Sequence, residues 1–186
     1  MSGINQDGSL KKFPVPSPET PAAIAASTGD LNTLQLPDVT TTLSEKDAFS
    51  NTPLIWASDK GQVDALKYIL EQTPVPVEDK SDHALVNTRG YLGNTALARA
   101  CRGGHIACVK LLLERSDANP DICNEKMQYP LHFAAFKKHP EIVRVMLDSG
   151  KCSTLLKDRK GRTPAEDTSM QEIKDMILEH REKTGM

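Results

Sequence analysis

Residues Tyr129–Gly150, YPLHFAAFKKHPEIVRVMLDSG, contain two short apolar segments separated by a polar break. The first segment, Pro130–Phe136, begins with a proline, which suits the first helical turn because its missing N–H has no partner there. The apolar residues of the second segment recur with the spacing of one helical face: Ile142, Val143, Met146 and Leu147. Gly150 follows them, where a left-handed helix cap is needed. Because isolated helices this short are marginal in water, the unit must stack on similar units.

Similar units are present along the chain. Thr163–Pro164 follows Tyr129–Pro130 by 34 residues, and Thr95–Ala96 precedes it by 34 residues. Thr52–Pro53 and Thr20–Pro21 begin two further units. A repeat of about 33 residues built around T-P-L-H-x-A is the signature of ankyrin repeats. The chain therefore resembles the ankyrin-repeat family.

The resemblance covers residues 18–183 and implies an all-α solenoid of paired antiparallel helices with β-hairpin or loop tips. About five repeats are predicted, including degenerate capping repeats at both ends, near residues 18–46, 47–86, 87–122, 123–157 and 158–183. Residues 1–17 form a separate tail, whose alternating prolines favour an extended segment. A proline-rich ligand for an aromatic groove is the alternative interpretation of this tail.

Composition excludes several classes of protein. The formal net charge of −2 selects neither nucleic acid nor a membrane surface, and no apolar run is long enough to cross a bilayer. No secretory signal is expected at the start of the chain. The four cysteines, Cys101, Cys108, Cys123 and Cys152, form no C-x-x-C pair, which predicts reduced thiols in a cytoplasmic or nuclear protein. Disulfides or a metal site are the alternative.

No catalytic motif is present: the chain lacks a nucleophile elbow, a metalloprotease helix, a phosphate-binding loop and a dinucleotide fingerprint. We therefore predict that the protein is not an enzyme and needs no cofactor or metal. Cys101 and Cys108 are predicted to fill the core as small apolar side chains. Trp56 is predicted to pack between repeats, with an exposed binding anchor as the alternative.

The spacing between the second and third units is longer by about ten residues than between the others, and the extra residues include Pro74 and Pro76. This predicts a lengthened loop between Thr73 and Tyr91, followed by an extended hairpin with Tyr91 and Leu92 at its tip. Insertions in stacked repeats map to loops on one face, which are often binding sites.

The chain departs from the family pattern at two kinds of position. No unit keeps both the threonine and the histidine of T-P-L-H, since Tyr129 precedes the one retained histidine, His132. Lys138 replaces the glycine between the two helices, where a positive φ is needed. Because each lost hydrogen bond is worth on the order of 1 kcal/mol, we predict a moderately stable array.

In the family, partners bind a concave face formed by the hairpin tips and the start of the inner helices, at positions around the Asp-x-x-Gly-x-Thr turn and just after the Ala-Ala pair. The matching positions here are Phe49, Asn51, Asp59, Lys60, Tyr91, Leu92, Asn94, Arg102, Glu125, Lys126, Gln128, Phe136, Lys137, Arg159, Lys160 and Arg162. Within the last three units, these positions carry six basic residues against the single acidic Glu125. The sequence thus predicts a basic groove for an acidic or phosphorylated peptide, with an ordinary solvated lysine face as the alternative.

The predicted function is a monomeric, non-catalytic interaction module that binds a protein or peptide through this face. One alternative is nucleic-acid binding through the basic groove. Another is a modification substrate, because LLLERSDANP resembles the loop in which ankyrin asparagines are hydroxylated. Leu111, Asp117 and Asn119 occupy the matching places, with Asn119 as the target.

Overall fold

The computed structural model describes residues 16–73 and 85–184. Within these ranges it has no β-strand, and it has two short 3-10 turns, Leu85–Asn87 and Tyr91–Gly93. The α-helices in chain order are α1 Pro21–Thr28, α2 Leu31–Leu34, α3 Pro37–Thr40, α4 Pro53–Lys60, α5 Val63–Gln72, α6 Ala96–Gly103, α7 Ile106–Glu114, α8 Pro130–Phe136, α9 Pro140–Asp148, α10 Pro164–Asp167 and α11 Gln171–Thr184.

The helices form two stacked layers. The inner layer is α1, α4, α6, α8 and α10, each packed on the next, and the outer layer is α2, α5, α7, α9 and α11. The predicted all-helical solenoid is therefore confirmed. The predicted tail residues before Pro16, and residues 74–84 of the predicted loop, lie outside the described part of the chain.

The inner helices begin with a threonine cap at three of five positions. The hydroxyls of Thr20, Thr52 and Thr95 each accept a backbone N–H three residues on, which satisfies one donor that the helix leaves free. Pro21 and Pro53 then occupy the first helical position. The threonines thus keep their capping bond even though the histidine of the family pattern is missing.

The central unit agrees with its sequence pattern. The four apolar residues predicted for one face of α9 are all buried: Ile142, Val143, Met146 and Leu147. Lys138 has φ +61°, and Gly150 has φ +62°, so both predicted left-handed positions are confirmed. Trp56 is only 4% exposed, and Cys101 and Cys108 are fully buried, as a core role requires.

Four turns of five residues form the tips: 47–51, 90–94, 124–128 and 158–162. In each turn the first N–H donates to the fifth carbonyl, and the fourth N–H donates to the first carbonyl. The fourth residue has a positive φ in every case: Ser50, Gly93, Met127 and Gly161. The tips are therefore tight turns, the loop form of the predicted β-hairpin or loop tips. The predicted extension of the hairpin at Tyr91 and Leu92 is wrong, because the turn 90–94 has the same length as the others.

An acidic or amide side chain closes three of these turns. The Oδ1 atom of the first residue accepts the N–H groups of the third and fifth residues in the turns that begin with Asp47, Asn124 and Asp158. Gly90 begins the remaining turn, and a Cβ atom there would lie 2.3 Å from Oδ1 of Asn51. That same Oδ1 accepts the N–H of Tyr91 at 2.9 Å, so glycine at position 90 leaves room for a side chain of the neighbouring turn to bond the second residue of this turn.

Candidate functional site: two clefts on the concave face

The tips and the ends of the inner helices enclose two clefts. The N-terminal cleft has a volume of about 280 Å³ and is lined by Pro16, Trp56, Asp59, Lys60, Tyr91, Leu92, Arg99 and Arg102. The C-terminal cleft has a volume of about 340 Å³ and is lined by Lys126, Gln128, Phe136, Asp158, Arg159, Lys160, Arg162 and Asp167. The structure thus brings most of the predicted contact residues together, but into two separate sites rather than one groove.

In the C-terminal cleft, one arginine is already paired. Arg162 Nη2 lies 2.8 Å from Asp158 Oδ2 and 2.6 Å from Asp167 Oδ1. Burial opposes ionisation of Asp158, but hydrogen bonds from the backbone and side chain of Arg162 and from the backbone of Lys160 outweigh it and lower the pKa of this carboxyl. Arg162 therefore closes the turn rather than standing free for a ligand.

An exposed aromatic ring lines this cleft together with Lys126, Arg159 and Lys160, and Lys137 lies beside the ring. Phe136 is 55% exposed, and Lys137 Nζ lies 5.8 Å from its ring centre. Arg159 Nη2 donates to the carbonyl of Glu125 at 2.9 Å. Lys126, Lys137, Arg159 and Lys160 form no ion pair within the described residues.

In the N-terminal cleft, three cations converge on one carboxylate. Asp59 lies 3.1 Å from Arg102, 3.3 Å from Arg99 and 3.5 Å from Lys60. Burial, together with the charge of Arg102, lowers the pKa of Arg99, although Asp59 opposes this shift. The sequence-based charge count therefore needs correction, because it treated Arg102 and Arg162 as free and omitted their acidic partners.

Two predicted contact residues do not face solvent. Asn51 is 1% exposed and Asn94 is 4% exposed. Asn51 bonds the backbone of Tyr91, and Oδ1 of Asn94 accepts from Nδ2 of Asn124 at 3.2 Å. Their side chains link neighbouring turns, so the prediction that they contact a partner is wrong. Phe49 packs edge-to-face on Tyr91, with ring centres 5.8 Å apart, beside the N-terminal cleft.

Five lining residues were not among the predicted contact residues: Pro16, Trp56, Arg99, Asp158 and Asp167. Trp56 had a binding role only in the alternative interpretation. Arg99 was not predicted as a lining residue because it stands between the buried Ala98 and Ala100, in a segment that is otherwise predicted to lie in the core. An arginine at an otherwise apolar helical position is the signal that could have revealed it, since such a side chain is seldom buried without an ion partner.

Asn119, the predicted modification target, is exposed on a turn outside both clefts. Its Oδ1 accepts the N–H of Asp121 at 2.9 Å, and its own N–H donates to Asn87 Oδ1 at 2.8 Å. Across residues 16–73 and 85–184, no three or more histidine, cysteine or acidic side chains are grouped as a metal site would require.

Comparison with known proteins identifies the class that this geometry defines. A family model described as ankyrin repeats (3 copies) matches residues 22–122 and 77–158. The chain belongs to the ankyrin-repeat family. Ankyrin repeats generally mediate protein–protein interaction and are generally not catalytic.

Each curated relative described here matches the chain over a small part of its own length. It is 29% identical over 133 residues to human transient receptor potential cation channel subfamily A member 1, covering 59% of the chain and 12% of that protein. It is 26% identical over 127 residues to the ankyrin repeat, SAM and basic leucine zipper domain-containing protein 1 of Dasypus novemcinctus. This match covers 68% of the chain and 25% of that protein. A probable E3 ubiquitin-protein ligase of Oryza sativa subsp. japonica is 34% identical over 61% of the chain and 20% of its own length.

The chain thus spans a quarter or less of the length of these three relatives. Among the described residues, no helix combines the length and apolar character that crossing a membrane requires.

Proposed function

We propose that this chain is a non-catalytic interaction module that binds an acidic segment of a partner protein at the C-terminal cleft. The observation that carries the proposal is the group of basic residues around the exposed ring of Phe136. Lys126, Arg159 and Lys160 line this cleft without a carboxylate partner in the described chain. Membership of a family that generally binds proteins supports the same conclusion.

The cleft offers both parts of a peptide site. Phe136 provides an apolar surface for a partner side chain, and aromatic residues commonly anchor such interfaces. The basic side chains provide charge-assisted hydrogen bonds to carboxylates, with arginine able to bind both oxygens. Since these basic groups are exposed, we expect their attraction to weaken with salt.

A charge-reversal variant tests the proposal. We expect K137E/R159E/K160E to bind a fluorescent twelve-residue Asp/Glu-rich peptide with a central tryptophan roughly tenfold more weakly than the unmodified chain, because attraction becomes repulsion. Fluorescence anisotropy at low and moderate salt measures this. The matched control is K110E/R144E/K174E, which makes the same change of charge at exposed positions of the outer helices.

Equal losses in the two variants would show that net charge, rather than the cleft, governs binding, and would contradict the proposal. A single-stranded RNA oligonucleotide serves as a further probe. Tighter, strongly salt-dependent binding of RNA than of the acidic peptide would favour the nucleic-acid alternative.

Two further parts of the proposal concern setting and assembly. All four cysteines are free, which supports a cytoplasmic or nuclear protein, since thiols persist in reducing compartments. We expect the chain to be monomeric without its partner, and light scattering coupled to size exclusion measures this. Hydroxylation of Asn119 stays a prediction.

A further inference from the structure

The N-terminal cleft contains more positive charge than its own acidic residue neutralises. Lys60, Arg99 and Arg102 surround Asp59, the only acidic residue among the described residues that line this cleft. Oδ1 of Asp59 is shared by both arginines, and its Oδ2 faces Lys60. Three cations and one carboxylate leave an excess of two positive charges.

Arg99 is held in place with little freedom to find another partner. Its side chain is 9% exposed, and its Nε atom is buried without a hydrogen-bond partner within the described residues. Its Nη2 atom reaches the carbonyl of Tyr91 only at 3.5 Å. Arg102, by contrast, has a side chain that is 39% exposed. Arg99 therefore holds Asp59 in place. Arg102 and Lys60 also pair with Asp59, but each shares this one carboxylate with two other cations and keeps 39% and 50% of its side chain exposed, so both can also contact a ligand.

We propose that the N-terminal cleft binds the phosphate group of a phosphorylated serine or threonine in a partner peptide. The proposal rests on the proposed interaction function but uses a different set of residues. A phosphate monoester carries a charge of about −1.5 to −2 near neutral pH, which matches the excess of two positive charges. A single carboxylate would leave one of those charges uncompensated.

The walls of the cleft favour a peptide over a free phosphate ion. Tyr91 and Leu92 line the cleft beside the cations, and Leu92 is 42% exposed, whereas Trp56 is only 4% exposed. Such surfaces can contact the residues that flank a phosphorylated side chain. Recognition of phosphorylated segments by arginine clusters is a general binding mode, because a guanidinium group can donate two hydrogen bonds to one phosphate.

The single tryptophan provides a direct readout. The Trp56 indole N–H lies beside the cleft and donates to Asp47 at 2.7 Å, so its nuclear magnetic resonance signal can be followed in the full chain. We would titrate a capped seven-residue peptide with a central phosphoserine, the same peptide with glutamate or serine at that position, and inorganic phosphate. We expect saturable shifts with the phosphopeptide, about tenfold weaker binding of the glutamate peptide, and still weaker binding of the other two.

The pH dependence of the affinity distinguishes a phosphate from a carboxylate ligand. The second pKa of a phosphate monoester is about 6, so the affinity for the phosphopeptide should fall between pH 7 and pH 5. The affinity for the glutamate peptide should change much less, because its carboxyl group has an ordinary pKa of about 4.3. Identical pH profiles for the two peptides would contradict the proposal.

Variants locate the site. R102Q removes the exposed cation and should weaken phosphopeptide binding roughly tenfold, whereas R144Q on the outer face of α9 should bind like the unmodified chain. The triple reversal K137E/R159E/K160E should still bind the phosphopeptide, so failure of the C-terminal cleft is separable from failure of this one. No saturable shift of the Trp56 signal, or equal affinity in R102Q, would overturn the proposal. Stronger binding of inorganic phosphate than of the phosphopeptide would also overturn it, because the ligand would then be a free anion.

Discussion

His132 is buried with only one of its two ring nitrogens bonded within the described chain. Its Nε2 atom donates to the carbonyl of Arg162 at 2.9 Å, while Nδ1 has no partner. Burial lowers the pKa of His132, although the bond to Arg162 and the nearby Asp167 and Asp158 oppose this shift. The neutral ring ties α8 to the turn 158–162, and its protonation would place a buried N–H without an acceptor.

The sign of the pH effect follows from this shift. As the pH falls, the unfolded chain binds a proton on this histidine near the ordinary pKa of about 6.5, whereas the folded chain binds it only at a lower pH. The free energy of unfolding should therefore fall as the pH decreases from 7 to 5. H132Q, which retains a donor for the Arg162 carbonyl, should reduce that slope, and H180Q on α11 serves as the control. Urea unfolding at several pH values measures both, and an unchanged slope in H132Q would contradict the assignment.

Lys138 carries a backbone conformation that suits glycine. Its φ of +61° is costly for a residue with a side chain. We expect K138G to raise the free energy of unfolding by about 1 kcal/mol. The neighbouring Lys137 has φ −79°, so K137G should instead destabilise the protein, because glycine gains freedom in the unfolded chain. Chemical denaturation compares the two variants, and the same sign of change in both would exclude backbone strain as the cause.

At the scale of the element, the turn 47–51 depends on one carboxylate. Asp47 Oδ1 accepts the N–H groups of Phe49 and Asn51 at 2.9 Å, and Oδ2 accepts the Trp56 indole N–H at 2.7 Å. The turn and helix α4 are thus joined by a residue that is 8% exposed. We expect D47A to destabilise the protein by about 2–4 kcal/mol, since it leaves three donors without an acceptor.

Thermal and urea unfolding of D47A measure this loss. E45A is the matched control, because Glu45 is a nearby exposed carboxylate, and it should unfold like the unmodified chain. A loss in D47A no larger than that in E45A would contradict the role of Asp47 in the turn.

The helices were more predictable from the sequence than the tips. The α8 boundaries follow from Pro130 and the apolar run alone, because helical periodicity is a local property. The turn 90–94 could not be predicted in the same way, since Gly90 has no side-chain acceptor and the turn is bonded instead at the Tyr91 N–H by Asn51, 40 residues earlier. The ion pair between Arg102 and Asp59 could not be predicted for a related reason, because it joins side chains from neighbouring repeats.

For the whole molecule, packing among the described helices joins each repeat to its neighbours and, within a repeat, the inner helix to the outer helix. Each inner helix packs on the next inner helix, and each outer helix on the next outer helix. At the last repeat, Glu166 replaces the missing histidine, since its Oε2 atom accepts both the backbone N–H and the hydroxyl of Thr163. The departures from the family pattern are thus compensated in part rather than throughout.

We therefore expect the chain to unfold at a moderate temperature, within the range of about 45–65 °C that is usual for domains from mesophiles. Scanning calorimetry with a repeat scan measures both the midpoint and its reversibility. Reversible melting near or above about 90 °C, the range of hyperstable domains, would contradict this expectation.

The backbone hydrogen bonds between neighbouring turns bear on how repeats can be added to the chain. Glu125 N–H donates to the carbonyl of Leu92, and Arg159 N–H donates to that of Lys126, so the second residue of one turn bonds the third residue of the turn before it. A duplicated segment 124–157 placed after residue 157 would present the same donor and acceptor at both of its ends. Tandem duplication of 34 residues can therefore lengthen the protein without leaving these backbone donors and acceptors unpaired at the junction.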